Sequence, residues 1–170
     1  MLQKHFEGLV DAWTQWLEAS TAADFLPSEL EALRKQIEAH TDGLVLHPSE
    51  SLPFLEEGIN SGDAGQVHAS LSVLMRIGNS TATELVANAI SATKPEQLSP
   101  FCRALGRAGA NRLPVDSILA SASADQAAVI LLSLAAQGKR PARAKLDTCL
   151  GAESSETRAR GWQIVALIGQ

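Results

Sequence analysis

A chain of 170 residues, 45% of them hydrophobic, is long enough to bury a continuous core. Its net charge of −5 argues against a general nucleic-acid binder, which needs a basic face to neutralise phosphates. No apolar run approaches the ~18 residues that span a membrane, and the start, with Gln3, Lys4, His5 and Glu7, lacks the apolar core of a signal peptide, so the expected location is the cytoplasm.

Residues 2–20 read as an amphipathic helix, with Phe6, Leu9, Val10, Trp13 and Leu17 on one stripe and Trp16 beside it. Residues 22–26 are a connector. Pro27 and Ser28 open a second helix, Ser28 and Glu31 standing at capping-box spacing, with Leu30, Leu33, Ile37 and Leu44 on its apolar face. Asp42-Gly43 is a turn signal inside this pattern; His40 is expected to help end the helix and His47 to lie in the turn. Residues 1–46 are therefore expected to form a two-helix cap. Residues 47–62 follow as a short helix with Leu52, Phe54, Leu55 and Ile59 inward, Pro53 falling early where proline is best tolerated.

From there on the chain is periodic. Gly78, Gly109, Gly138 and Gly169 are separated by 31, 29 and 31 residues, a spacing that marks a repeat architecture. Four positions before each glycine stands Leu74, Leu105, Leu134 or Val165, and seven before stands Leu71, Cys102, Leu131 or Trp162. These offsets share one helix face. Asp63, Thr93, Ser123 and Ser154 lie 15 or 16 residues before their glycines and suit N-caps. Gln66, Glu96 and Gln126 complete capping boxes in the first three units, and Thr157 breaks the pattern in the fourth. Each glycine suits a left-handed helix stop. Between glycine and cap lie shorter apolar segments, 85–90, 118–122 and 146–150, opened by Thr81 with Glu84, by Pro114 and by Pro141. Short helix, turn, long helix, repeated, predicts an all-α chain: an α-solenoid of four helix pairs over residues 47–170, continuous with the cap.

The units resemble HEAT-like repeats of the short bacterial kind, also found in phycobilin-lyase-type proteins. Ile37-Glu38-Ala39-His40-Thr41-Asp42-Gly43-Leu44 resembles the R-x-E-A-H-L-D-G-L stretch near the start of a proteobacterial HEAT-repeat family often encoded beside type VI secretion genes, Thr41 replacing the usual Leu. The resemblance covers the first ~80 residues best, and members of that family are often much longer. It implies a helical interaction protein in a secretion-linked locus and brings no catalytic residues.

Residue chemistry points the same way. His5, His40, His47 and His68 form no HExxH pair and no zinc-spaced cluster, although Asp42 lies between His40 and His47, so no metal or cofactor is expected. Cys102 and Cys149 fall at apolar helical positions and read as core thiols. Gly106-Arg107-Ala108-Gly109 follows a helix rather than a strand, which excludes a phosphate loop; Gly106 reads as a packing residue. No serine lies in a G-x-S-x-G elbow.

Two candidate surfaces emerge. Arg76, Arg103 and Arg107 share helix sides away from the core stripe and would form a basic patch on the concave face for an acidic partner segment, unless they pair with Glu84 or Glu96. The helix 127–136 is apolar nearly all round and should be buried on more than one side. The final helix carries Trp162, Ile164, Leu167 and Ile168 with no polar cap after it, a candidate interface for a homodimer or a further repeat. The function read from these features is a non-catalytic protein-protein interaction module (adaptor, chaperone or immunity-like partner), not an enzyme. A phycobilin-lyase-like enzyme or pigment carrier and a self-assembling structural unit stand as alternatives.

Overall fold

The computed structural model describes residues 1–20, 22, 26–107, 115–140 and 143–169. Among these the regular structure is helical, with no strand: α1 (Leu2–Ala19), α2 (Pro27–Val45), α3 (Pro48–Asn60), α4 (Ala64–Ile77), α5 (Ser80–Ala92), α6 (Ser99–Arg107), α7 (Val115–Ile118), α8 (Ala124–Ala136), α9 (Arg143–Leu150) and α10 (Ser155–Ile168), with a 3-10 turn at Pro95–Gln97. The all-α expectation holds. The chain divides into two compact units, Met1–Ile77 and Gly78–Gln170. Gly109, Pro114, Pro141 and most of the 22–26 connector lie outside the described residues.

In the first unit α1 packs on α2, α3 and α4, and α2 packs on α3 and α4. The stripes that predicted α1 and α2 supply Leu9, Leu33 and Leu44 to the core, alongside Leu55 and Ile59 of α3 and Leu71 and Leu74 of α4, all of them buried. Trp13 donates from its indole to Ser72 Oγ at 3.4 Å and lies against the buried His68 ring, centroids 5.3 Å apart. Asp63 caps α4 as expected, its Oδ1 accepting the Gln66 N–H at 2.9 Å, and Gly78 follows the helix at φ +63°, the left-handed conformation that favours glycine.

Three local expectations in this unit are corrected. Asp42-Gly43 makes no turn, because α2 continues through both to Val45. The glycine serves a close approach instead: a Cβ there would stand 3.0 Å from the His5 ring. His40 therefore does not end the helix; it lies inside α2, with its Nδ1 3.2 Å from His5 Nδ1. The N-cap of α2 is Leu26, two positions before the expected Ser28. Pro27 opens the helix, and the Leu26 N–H donates to the Glu29 carboxylate at 2.9 Å, while Glu31 turns to Arg34 at 2.7 Å rather than to Ser28.

In the second unit α5 packs on α7, α6 on α8, and α8 on α9, α10 and the Pro95–Gln97 turn. The all-round apolar sequence of α8 has its physical reason in these neighbours: Ala127, Ala128, Ile130, Leu131, Leu134 and Ala135 are all buried. Ser123 and Gln126 form the expected capping box, Gln126 N–H donating to Ser123 Oγ at 3.2 Å and Ser123 N–H to Gln126 Oε1 at 2.8 Å. Gly138 ends α8 at φ +76°, with Lys139 N–H donating to Leu134 O at 3.0 Å, the hydrogen bonding of a Schellman stop. Ser154 caps α10 by accepting the Thr157 N–H at 3.2 Å.

The α5–α6 unit departs from the repeat rule. Asn79, not Thr81, caps α5, its Oδ1 accepting the Ala82 N–H at 2.8 Å. Thr93 terminates α5 instead of opening the next helix, its hydroxyl donating to Ala89 O at 2.7 Å. Prolines explain the shift. Lys94, preceding Pro95, is extended at ψ 148°, as steric conflict with a following proline requires, and α6 starts only at Ser99, before Pro100. Consequently α5 spans 13 residues and α6 only 9, the reverse of the expected short-then-long order. Gly169 stands at φ −85°, so it does not supply a left-handed stop.

Candidate partner-binding surfaces

The α6–α8–α10 face of the second unit carries a cleft of about 580 Å³. Its floor is the half-buried stripe Val129, Leu132 and Ser133 of α8 with the exposed Ala136 beside it, and Cys102 of α6 forms a wall. The stripe follows from helical spacing: with the opposite positions of α8 committed to the core, these offsets are what remains facing α6 and α10. Glu96, Asp125 and Glu156 bring carboxylates to the lining, each from the first turn of its helix, where a negative charge meets the positive end of the helix dipole. Arg160 is the cation among these residues and pairs with Glu156 at 2.5 Å.

Two side chains tie the cleft together. Thr157, almost fully buried, donates its hydroxyl to Asp125 Oδ1, linking α10 to α8. Its departure from Gln or Glu thus has a structural reason: the side chain reaches a neighbouring helix rather than back to its own cap. Gln126, also buried, donates from Nε2 to the carbonyls of Ile90, Ser91 and Thr93 at 2.9, 3.0 and 2.7 Å, covering the open end of α5.

Burial pushes the Cys102 thiol up to about 11, above its ordinary value of 9.0, so at neutral pH it presents a protonated, apolar wall rather than a thiolate. Cys149, fully buried, is likewise raised by burial. Both cysteines are free, and each sits in the core as the sequence suggests.

The predicted surface residues fall in different places. Arg76 belongs to the first unit and pairs with Asp42 at 2.6 Å, rather than with Glu84 or Glu96. Arg103 is exposed on α6, and Arg107 ends that helix with its side chain outside the described residues. On α10, Trp162 is 63% and Leu167 41% exposed, Ile168 is half-buried, and Ile164 is fully buried. Ile164 thus serves the core, and Trp162 and Leu167 are the outward members of the set. Among the described residues no group of three or more His, Cys, Asp or Glu is placed to hold a metal ion, and no helix is long and apolar enough to cross a membrane. His47 precedes α3 as its N-cap residue, while His40 meets His5.

Sequence reasoning missed Val129, Leu132 and Thr157 as surface-defining residues. The signal was available in part: a helix apolar on every side must have either partners all round or one face left over. No family model, curated protein or solved structure matches this chain.

Proposed function

We propose that the chain is a non-catalytic protein-protein interaction module, a HEAT-like α-solenoid that holds a partner protein on its helix faces. The observation that carries this reading is the α6–α8–α10 cleft: an apolar floor with a polar rim, spread over three helices, is the anatomy of a surface that receives a side chain or helix of another protein. The solenoid reading is supported by polar links one period apart. Ser91 Oγ meets Ser121 Oγ, 30 residues on, at 2.8 Å, and Lys139 Nζ donates to Leu105 O, 34 residues back, at 3.0 Å. The resemblance of residues 37–44 favours an adaptor, chaperone or immunity-like role in a type VI secretion locus, in the cytoplasm.

The test is affinity purification from the native host with the unaltered chain and with Leu132→Glu, which places a charge on the cleft floor. A protein recovered with the first and lost with a folded form of the second supports the proposal. Equal recovery with both, or recovery with neither, overturns it.

A second reading, self-assembly through α10, is favoured by the exposure of Trp162, since a large exposed indole is a common interface anchor. It predicts a homodimer in solution that Trp162→Glu dissociates.

A further inference from the structure

The first unit carries a separate groove of about 380 Å³ between α1 and α3, with Gln66 of α4 also lining it. Phe6 and Phe54 stack in it, ring centroids 6.4 Å apart and planes within 26°, and both rings are half-buried. Around them stand Glu7, Asp11 and Glu57, all exposed. The pattern originates in α1, where the apolar pair Phe6 and Val10 and the acidic pair Glu7 and Asp11 are each spaced i,i+4 and run side by side along the helix.

The groove's charge has one sign. Neither Lys nor Arg lines it, and among the described residues none of the three carboxylates takes part in an ion pair. Elsewhere on this unit the arrangement is different: Glu31 and Glu38 share Arg34, and Asp42 holds Arg76. Carboxylates left without a cation around a half-exposed aromatic pair repel one another, and the rings remain partly hydrated.

One side chain answers both the floor and the rim. A guanidinium is planar, weakly hydrated and stacks on aromatic faces, and its five N–H groups form a fork that pairs with carboxylates. An ammonium is compact and strongly hydrated, and satisfies the rim alone. We propose that this groove docks an arginine-bearing segment of a partner protein, the guanidinium lying over Phe6 and Phe54 with Glu7, Asp11 and Glu57 around it. The inference rests on this groove alone and does not depend on the α6–α8–α10 cleft.

The probe is a fluorescent peptide, Leu-Arg-Ala-Leu-Arg, titrated into the full chain at low ionic strength and followed by anisotropy. Binding should weaken roughly threefold or more when both peptide arginines become lysine, and vanish when they become glutamate. Glu7→Lys with Glu57→Lys should weaken it about tenfold or more. Phe54→Ala, which leaves the charge unchanged, should weaken it roughly threefold. Glu84→Lys with Glu153→Lys, the same change of charge on exposed residues of the second unit, should leave it within about twofold. Circular dichroism checks each fold; if the double lysine variant fails to fold, Asp11→Asn replaces it, and the Phe6 and Phe54 ring resonances of the unaltered chain are followed during titration. The proposal is overturned by no binding to the unaltered chain, by equal loss in the second-unit control, by Phe54→Ala without effect, or by ring resonances that do not move.

Discussion

His5 of α1 and His40 of α2 meet Nδ1 to Nδ1 at 3.2 Å, their rings edge to face with centroids 5.4 Å apart, and each ring sits over a glycine of the opposite helix. A Cβ on Gly8 would stand 2.7 Å from His40 Nε2, and one on Gly43 3.0 Å from His5. The pairing is reciprocal because the two helices run antiparallel, so that positions 5 and 8 face 43 and 40. Gly→Ala in a helix ordinarily stabilises by about 1 kcal/mol. Here the added methyl collides with a packed ring, and Gly8→Ala is expected to destabilise by about 1 kcal/mol instead. In a His40→Ala background the same substitution should become neutral or stabilising. Urea unfolding of the four chains gives the coupling, and additivity of the two changes would remove the histidine–glycine clasp from the account.

Gln126 closes its own helix start and the far end of α5 at once. Gln126→Leu leaves buried carbonyls without donors, and a loss of roughly 2–3 kcal/mol is expected. Ser123→Ala removes only the local cap and should cost about 1 kcal/mol. Denaturant midpoints that rank the two in the opposite order would show that the bonds from α8 to the end of α5 contribute little.

Cys102 gives a pH dependence with a definite sign. Its thiol titrates at about 11 in the fold and near 9.0 when unfolded. Between these values the unfolded chain has lost the proton and the folded chain has kept it, so stability falls as pH rises from about 9 to about 11 and is fully present below that window. Lys139, whose ordinary value burial lowers, acts in the opposite sense at the alkaline end. Comparing stability curves of the unaltered chain and Cys102→Ala isolates the thiol; parallel curves through the window would sink the assignment. At pH 8 a thiol reagent should label Cys102 far more slowly in native than in denaturing conditions.

Acidic substitutions on α10 should separate surface from core. Trp162→Glu and Leu167→Glu are expected to leave the melting temperature within a few degrees, whereas Ile164→Glu buries an unpaired charge and should unfold the second unit. Light scattering on the first two reads the oligomeric state: a homodimer converted to monomer supports pairing through α10, and an unaltered chain that is already monomeric removes it.

The sequence makes most helices legible because three signals coincide at α4, α8 and α10: a capping side chain, a 3.6-residue apolar period and a following glycine. Asp63, Ser123 and Ser154 all cap as spacing suggests. The α5–α6 unit resists such reading because two local rules compete there. Thr93 with Glu96 has capping-box spacing, yet Pro95 forces its predecessor out of the helical region, and the proline prevails. Asp42-Gly43 misleads for another reason: its glycine answers a steric demand from His5, thirty-eight positions away in the chain, which no local pattern records. The cleft is partly legible, since the composition of α8 requires several neighbours. Which stripe stays half-open depends on where α6 and α10 lie, and Arg76 finds Asp42 of α2 rather than the expected Glu84 or Glu96.

The bonds from Gln126 to Ile90, Ser91 and Thr93 bear on how the second unit is made. As the chain leaves the ribosome, the last carbonyls of α5 emerge some thirty residues before the amide that covers them. Until then that helix end must fray or borrow water. The end of α5 is therefore closed only when the start of α8 is present, so a fragment that stops before Gln126 should not hold that helix end, and synthesis should show the α5 end maturing only after α8 has followed it.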